Sequence, residues 1–160
     1  MNITEKEKVR FINSLMDGSK VELYNRWGHQ LDLAEKLNVK YVDAPGFDLQ
    51  SSIGKRVEVK HISLQQKGKS PCITSINSKV EYPIMVDVDS GTIPGLNEDE
   101  CFFFHNGELQ SIMSTSDKKY NRYIFPRNLY GGGKKQKLIK KYVKKIVDVK
   151  EYLHNPKSEL

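Results

Sequence analysis

Residues Arg56-Val-Glu-Val-Lys-His-Ile62 alternate apolar and polar side chains with a period of two. An extended strand turns such a series into two faces of different chemistry, with Val57 and Val59 on one and Glu58 and Lys60 on the other. Upstream, Phe47-Asp48-Leu49 alternates in the same way, and Ser51-Ser-Ile-Gly54 has the composition of a turn. The pattern predicts an antiparallel hairpin. Phe47 and Leu49 should face the core with Val57 and Val59, which sends Asp48, Glu58 and Lys60 to the opposite side together.

The rest of the chain supplies elements to pack against that hairpin. Residues 5 to 16 carry a helical apolar stripe that stops at Asp17-Gly18. Ser19-Lys-Val-Glu22 then has the form of a capping box, and Leu23, Trp27, Leu31, Ala34 and Leu37 predict a second helix from about 19 to 37. Extended chain resumes from Val39, after which Pro45-Gly46 breaks any helical continuation. Residues 64 to 80 are polar and punctuated by Gly and Pro, so they read as a loop or irregular arm, whereas 82 to 88 (YPIMVDV) reads as a core strand. After a loop over 90–99, Cys101-Phe-Phe-Phe104, Asn106-Gly107 and residues 109 to 113 predict a second hairpin, because Asn-Gly suits a two-residue turn. The sequence KKQKLIKKYVKKIVDVKEYL predicts one basic amphipathic helix over about 134–153. With 160 residues and 38% hydrophobic content the chain is read as one domain, 1–160. The expected class is α/β, a mixed central sheet of about five strands flanked by the Glu22 helix and the lysine-rich helix.

Charge narrows the partners. A formal charge of +6 and a pI near 9.2 favour an anionic partner, nucleic acid or an acidic membrane surface. The lysine-rich helix lacks the broad Trp/Phe/Leu insertion face of a membrane-surface helix, and no run reaches the length of a membrane span. The N-terminal residues lack the basic-then-apolar order of a signal peptide, which predicts a cytoplasmic protein. Cys72 and Cys101 stand far apart outside any CxxC or Cys/His cluster and read as ordinary thiols.

The side shared by Asp48, Glu58 and Lys60 carries the chemistry. Mg²⁺ takes oxygen ligands, commonly one or two protein carboxylates completed by water and substrate phosphate, and Asp48 with Glu58 fit that role. A lysine two residues along the strand can orient a nucleophilic water or offset charge that builds on a phosphate. The order Asp48, nine residues, Glu58-Val-Lys60, following a helix that bears an acid, resembles the PD-(D/E)xK nuclease superfamily over about residues 18 to 90. That superfamily includes compact type II restriction endonucleases and archaeal Holliday-junction resolvases. The proline usually found just before the aspartate is here Pro45, separated from Asp48 by Gly46-Phe47.

The resemblance implies a restriction-endonuclease-like fold and Mg²⁺-dependent hydrolysis of DNA phosphodiesters, with Mn²⁺ as a substitute and 5′-phosphate and 3′-hydroxyl products. Asp48 and Glu58 would be metal ligands, Lys60 the catalytic cation, and Glu22, in a Gly-x-x-x-Glu setting, an accessory acid with Asp32 and Glu35 as reserves. Cutting both strands of a duplex implies a homodimer. A restriction-type enzyme on duplex DNA is the first reading. The alternatives are a structure-specific nuclease for branched DNA and a nucleic-acid-binding protein without turnover.

Glu22 is also explained by its capping box alone. His61 should point toward the valine face, packed or partly exposed and not a base, and His29 and His105 read as surface or turn residues. Tyr120, Arg122, Tyr123, Arg127 and Tyr130 precede the basic helix and are joined to it through Gly131-Gly-Gly133, whose amides have room to approach a phosphate. The expected DNA-binding residues are Arg122, Arg127, Lys134, Lys135, Lys137 and Lys141.

Overall fold

Helix α1, Ser19–Leu37, ends where Asn38 takes the left-handed conformation (φ 54°). There Asn38 N donates to Glu35 O and Val39 N to Ala34 O, so the last carbonyls are satisfied as the chain turns into the sheet. The computed structural model describes residues 19–64, 68–77, 79 and 81–160, and not the side chains of 19–27 and 43. The helix expected over 5–16 lies outside the described residues.

Strands β1 (Lys40–Ala44), β2 (Phe47–Gln50) and β3 (Arg56–Ile62) form an antiparallel meander. Strand β5 (Ile84–Val88) runs parallel to β3, and β6 (Glu100–Phe104) and β8 (Val143–Lys145) add on antiparallel. The six-stranded order is β1-β2-β3-β5-β6-β8. The chain is therefore a mixed α/β fold with a mixed central sheet flanked by helices. A separate two-stranded ribbon pairs β4 (Cys72–Thr74) with β7 (Arg122–Ile124). Helices α2 (Glu108–Ile112), α3 (Thr115–Tyr120), α4 (Lys134–Lys140) and α5 (Ile146–His154) complete the described chain.

Alternation along the strands divides the core in two. On one face Leu49, Val57, Val59, Met85, Cys101 and Phe103 pack with Leu33, Ala34 and Leu37 of α1 and Ile146, Val149 and Leu153 of α5. On the other, Ile62, Ile84, Val86, Phe102 and Phe104 pack with Ile73, Tyr123 and Phe125 of the ribbon region, Leu109 of α2 and Ile139 of α4. Phe102, Phe103 and Phe104 are all buried, and at about 1.5–3 kcal/mol for each such side chain they fix β6 inside the sheet.

Three sequence expectations change. Asn106-Gly107 does turn the chain, with Gly107 at φ 79°, but residues 108–112 form a helix and not a return strand. Both edges of β6 are already taken, by β5 and β8, and Leu109 and Met113, four residues apart, bury on one side as a helix requires. The segment 134–153 is broken by β8. Phe102 pairs with Val143, Phe103 N donates to Tyr142 O at 2.9 Å, and β-branched Val143 suits the strand. A single helix presents one stripe, whereas Ile139 buries on the ribbon side and Val149 and Leu153 on the α1 side, so the edge strand carries the chain from one face to the other. Finally, the arm over 64–80 contains β4, which a three-residue strand paired with a partner about fifty residues away does not announce in sequence.

No helix among the described residues is long and apolar enough to cross a membrane. Cys72 is a half-buried thiol and Cys101 a buried one, its thiol pushed up to about 12 by burial.

Candidate active site

The site is built from the end of one hairpin. Its turn is closed by Ser51 N to Lys55 O at 2.8 Å and Gly54 N to Ser51 O at 3.0 Å, with Gly54 at φ 86°. A side chain at that φ would be strained. The register is Gln50↔Arg56 and Leu49↔Val57, which sets Asp48 opposite Glu58 one step further along.

At that step the ladder gives way to a side chain. Asp48 Oδ2 accepts the Val59 amide at 2.8 Å, so the carboxylate is fixed against the peptide that joins Glu58 to Val59. Glu58 Oε1 lies 3.4 Å from Lys60 Nζ, which also donates to Ser75 O at 3.2 Å. Glu58 and Lys60 therefore do share one side of β3, half-buried, while Val57 and Val59 are buried on the other. Phe47 departs from expectation. It is buried, but outside the helix-side core, with its ring edge-on to Tyr82 at 5.1 Å and beneath the Arg56 guanidinium at 4.6 Å.

Two carboxylates and one ammonium leave a net negative charge, and the carboxylates offer hard oxygen donors. That donor set fits Mg²⁺, whose remaining positions belong to water and substrate phosphate. Among the described residues no three His, Cys, Asp or Glu side chains group to hold a metal, so a closed all-protein cage is not what these residues form. Glu22 lies on α1, but its side chain is outside the described residues; the reserves Asp32 and Glu35 are exposed on the same helix.

The expected DNA-binding residues are all exposed. Arg122 pairs with Thr74 across the ribbon, beside the Ser75 carbonyl that holds Lys60, so the ribbon ties the trio to the basic surface. The Arg122 guanidinium lies 5.3 Å from the Tyr120 ring and Lys135 Nζ 5.1 Å from that of Tyr123. Partial burial lowers the Lys135 pKa. Arg127, Lys137 and Lys141 lie on the surface elsewhere along the same third of the chain. The Gly133 amide is not open to a phosphate as expected, because Gln136 Oε1 accepts it at 3.1 Å.

Sequence reasoning missed the cluster behind His61. His61 Nε2 lies 2.8 Å from Asp89 Oδ1, and the His29 ring stacks on His61 at 4.3 Å. His29, expected with His105 as a surface or turn residue, is instead half-buried on α1, and His105 has Nε2 2.6 Å from Leu160 O. Burial pushes the Asp89 carboxyl up, but the Leu64 amide and the His61 ring outweigh it and hold it below its ordinary value. Asp87, which pairs with His61 across β3 and β5, is raised by burial, offset in part by His61. The missing signal was the parallel β3–β5 register, which no local pattern contains.

Comparison of the chain with protein-family models, with curated proteins and with solved structures finds no match.

Proposed function

We propose that this chain is a Mg²⁺-dependent endodeoxyribonuclease of the PD-(D/E)xK kind, a restriction-type enzyme that acts on duplex DNA as a homodimer in the cytoplasm. The observation that carries the reading is the convergence on one peptide: Asp48 Oδ2 on the Val59 amide, with Glu58 and Lys60 paired on either side of it. Asp48 and Glu58 would hold the ion, which when bound supplies Lewis acidity and a more acidic water. The Val59 amide keeps the Asp48 carboxylate in place before substrate arrives. Lys60, steadied by Ser75 O and Glu58, offsets charge that builds on the phosphate and orients the attacking water. Glu22 is the proposed accessory acid. Arg122, Arg127, Lys134, Lys135, Lys137 and Lys141 track the backbone through non-specific charge.

A binding-only role explains the trio less well, because unneutralised carboxylates beside a phosphate weaken contact. The test is incubation of wild type and Asp48→Ala with plasmid, branched and single-stranded DNA, with Mg²⁺ and with chelator. Mg²⁺-dependent cuts by wild type alone are expected. Cleavage confined to branched DNA replaces the restriction-type reading with the structure-specific one. Salt-sensitive binding without any cleavage in Mg²⁺ or Mn²⁺ overturns the enzyme reading altogether.

A further inference from the structure

Among the described residues β2 pairs with β3 only at Arg56 and Val57, so past Val59 the edge of β3 on that side carries no strand. A cleft of about 600 Å³ opens along this edge and is bordered from both sides of the strand, by Lys60 and by His61. Gln30 and His29 of α1 form part of one wall, Ser63 follows β3, and Ser75 closes the opposite side. No carboxylate among the described residues lines it. The polar lining includes amide, hydroxyl and ammonium donors and the His61 imidazole, which, with Nε2 engaged by Asp89, donates to a phosphodiester oxygen from Nδ1 when the ring carries both protons. Lys60 sits on the border, between Glu58 on one hand and Ser75 on the other.

We propose that this cleft seats a backbone phosphodiester adjacent to the one cut, with His61 as the residue that contacts it; the proposal rests on the nuclease reading. The His61 ring is held for that contact from two directions. His29 stacks on it at 4.3 Å with an interplanar angle of 25°, and Asp89 meets Nε2 at 2.8 Å. Asp89 is itself anchored, since Oδ2 accepts the Leu64 amide at 2.9 Å and its own amide donates to Ile62 O at 2.9 Å. Asp89 is not among the residues that line the cleft and meets His61 directly, so it is a positioning residue. A DNA strand that passes Asp48 and Glu58 would cross Lys60 and enter a donor-lined cleft, where a phosphate gains contacts and no carboxylate among the described lining residues repels it.

The test is the NMR titration of histidine ring signals in the full chain with chelator present, so that nothing is cut. His61 is assigned from His61→Gln, and His105 and His154, bonded to Leu160 O and Leu37 O, serve as internal controls. A 12-base-pair duplex should shift the His61 and His29 signals and leave the controls in place. The same duplex with uncharged methylphosphonate linkages should not. Inorganic phosphate should reproduce the shift only at much higher concentration. His61→Gln should weaken duplex binding about tenfold, the scale of one charge-assisted contact, and Asp89→Asn should diminish the His61 shift while the ring is still present. Should His61→Gln fail to fold, Gln30→Ala and Ser63→Ala on the cleft rim take its place in the affinity measurement. A His61 signal unmoved by the natural duplex, equal shifts with the methylphosphonate duplex, or wild-type affinity in the cleft variants overturns the proposal. Cleavage on adding Mg²⁺ to the same wild-type sample reports on the nuclease reading independently: cuts with an unmoved His61 remove the subsite alone, and a moved His61 without cuts removes the nuclease reading and leaves a phosphate-binding cleft with no cut beside it.

Discussion

The two sides of β3 end in ionisable groups that the fold treats differently. On the Glu58 side, Glu58 and Lys60 face one another at 3.4 Å, half-buried, and Lys60 also donates to the carbonyl of an exposed serine. On the His61 side, the ring is locked between α1 and the residues that follow β5. The Glu58 and Lys60 side chains are only 20% and 18% exposed, and for such a pair the cost of leaving water largely cancels the mutual attraction, so it adds little net stability. The first set therefore has little structural reason to be what it is, whereas the second is held by the fold. On the proposed function, the first set awaits a ligand and the second positions a contact.

The comparison breaks most plainly at the trio. Asp48→Asn, Glu58→Gln and Lys60→Met should each reduce Mg²⁺-dependent plasmid cleavage by roughly 10³-fold, the scale of one lost transition-state contact. Thermal melts of a Glu58→Gln, Lys60→Met double variant, which leaves no lone charge behind, should stay close to wild type. Large losses of Tm there would make those residues structural and erase the contrast.

The next effect lies on the His61 side and depends on pH. The Asp89 pKa is depressed, so its contribution is present above the ordinary aspartate value and is lost as pH falls through the depressed one. Asp89→Asn should therefore lower Tm at neutral pH, with the gap closing in strong acid. The Asp87 pKa is raised, so ionised Asp87 costs stability once pH exceeds its folded value. Asp87→Asn should raise Tm at neutral pH and change nothing below the ordinary aspartate range. Melts from acid to neutral pH check both signs, and two variants shifting in the same direction would contradict this account.

The smallest effect concerns the basic surface. Lys134→Ala should weaken duplex binding alike for all sequences and reduce the slope of log affinity against log salt by about one. An unchanged slope would remove that lysine from the backbone path.

How much of this was legible beforehand follows from the range of each interaction. The β2–β3 hairpin, with Glu58 and Lys60 on one side of β3, was readable because strand alternation and a short turn are local, and helix α1 because its apolar stripe is local too. The strand after Asn106-Gly107 was misread because the vacancy it would need beside β6 is filled by β8, some forty residues later. The same event split the basic helix, since lysine spacing cannot show that Val143 will complete a sheet edge. The His61–Asp89 pair was hidden for a related reason: it is made by a parallel register between β3 and β5, and α1 brings His29 from a third place. Phe47 followed the alternation in burial but not in partner, drawn to Tyr82 and Arg56.

The most direct trial of the central claim is anomalous diffraction from crystals grown with Mn²⁺ and a duplex made uncleavable at its phosphates. The account predicts manganese density against the carboxylates of Asp48 and Glu58, within reach of a phosphate, and none at His61 and Asp89. Manganese at the histidine cluster, or none at the two carboxylates with DNA in place, would contradict it.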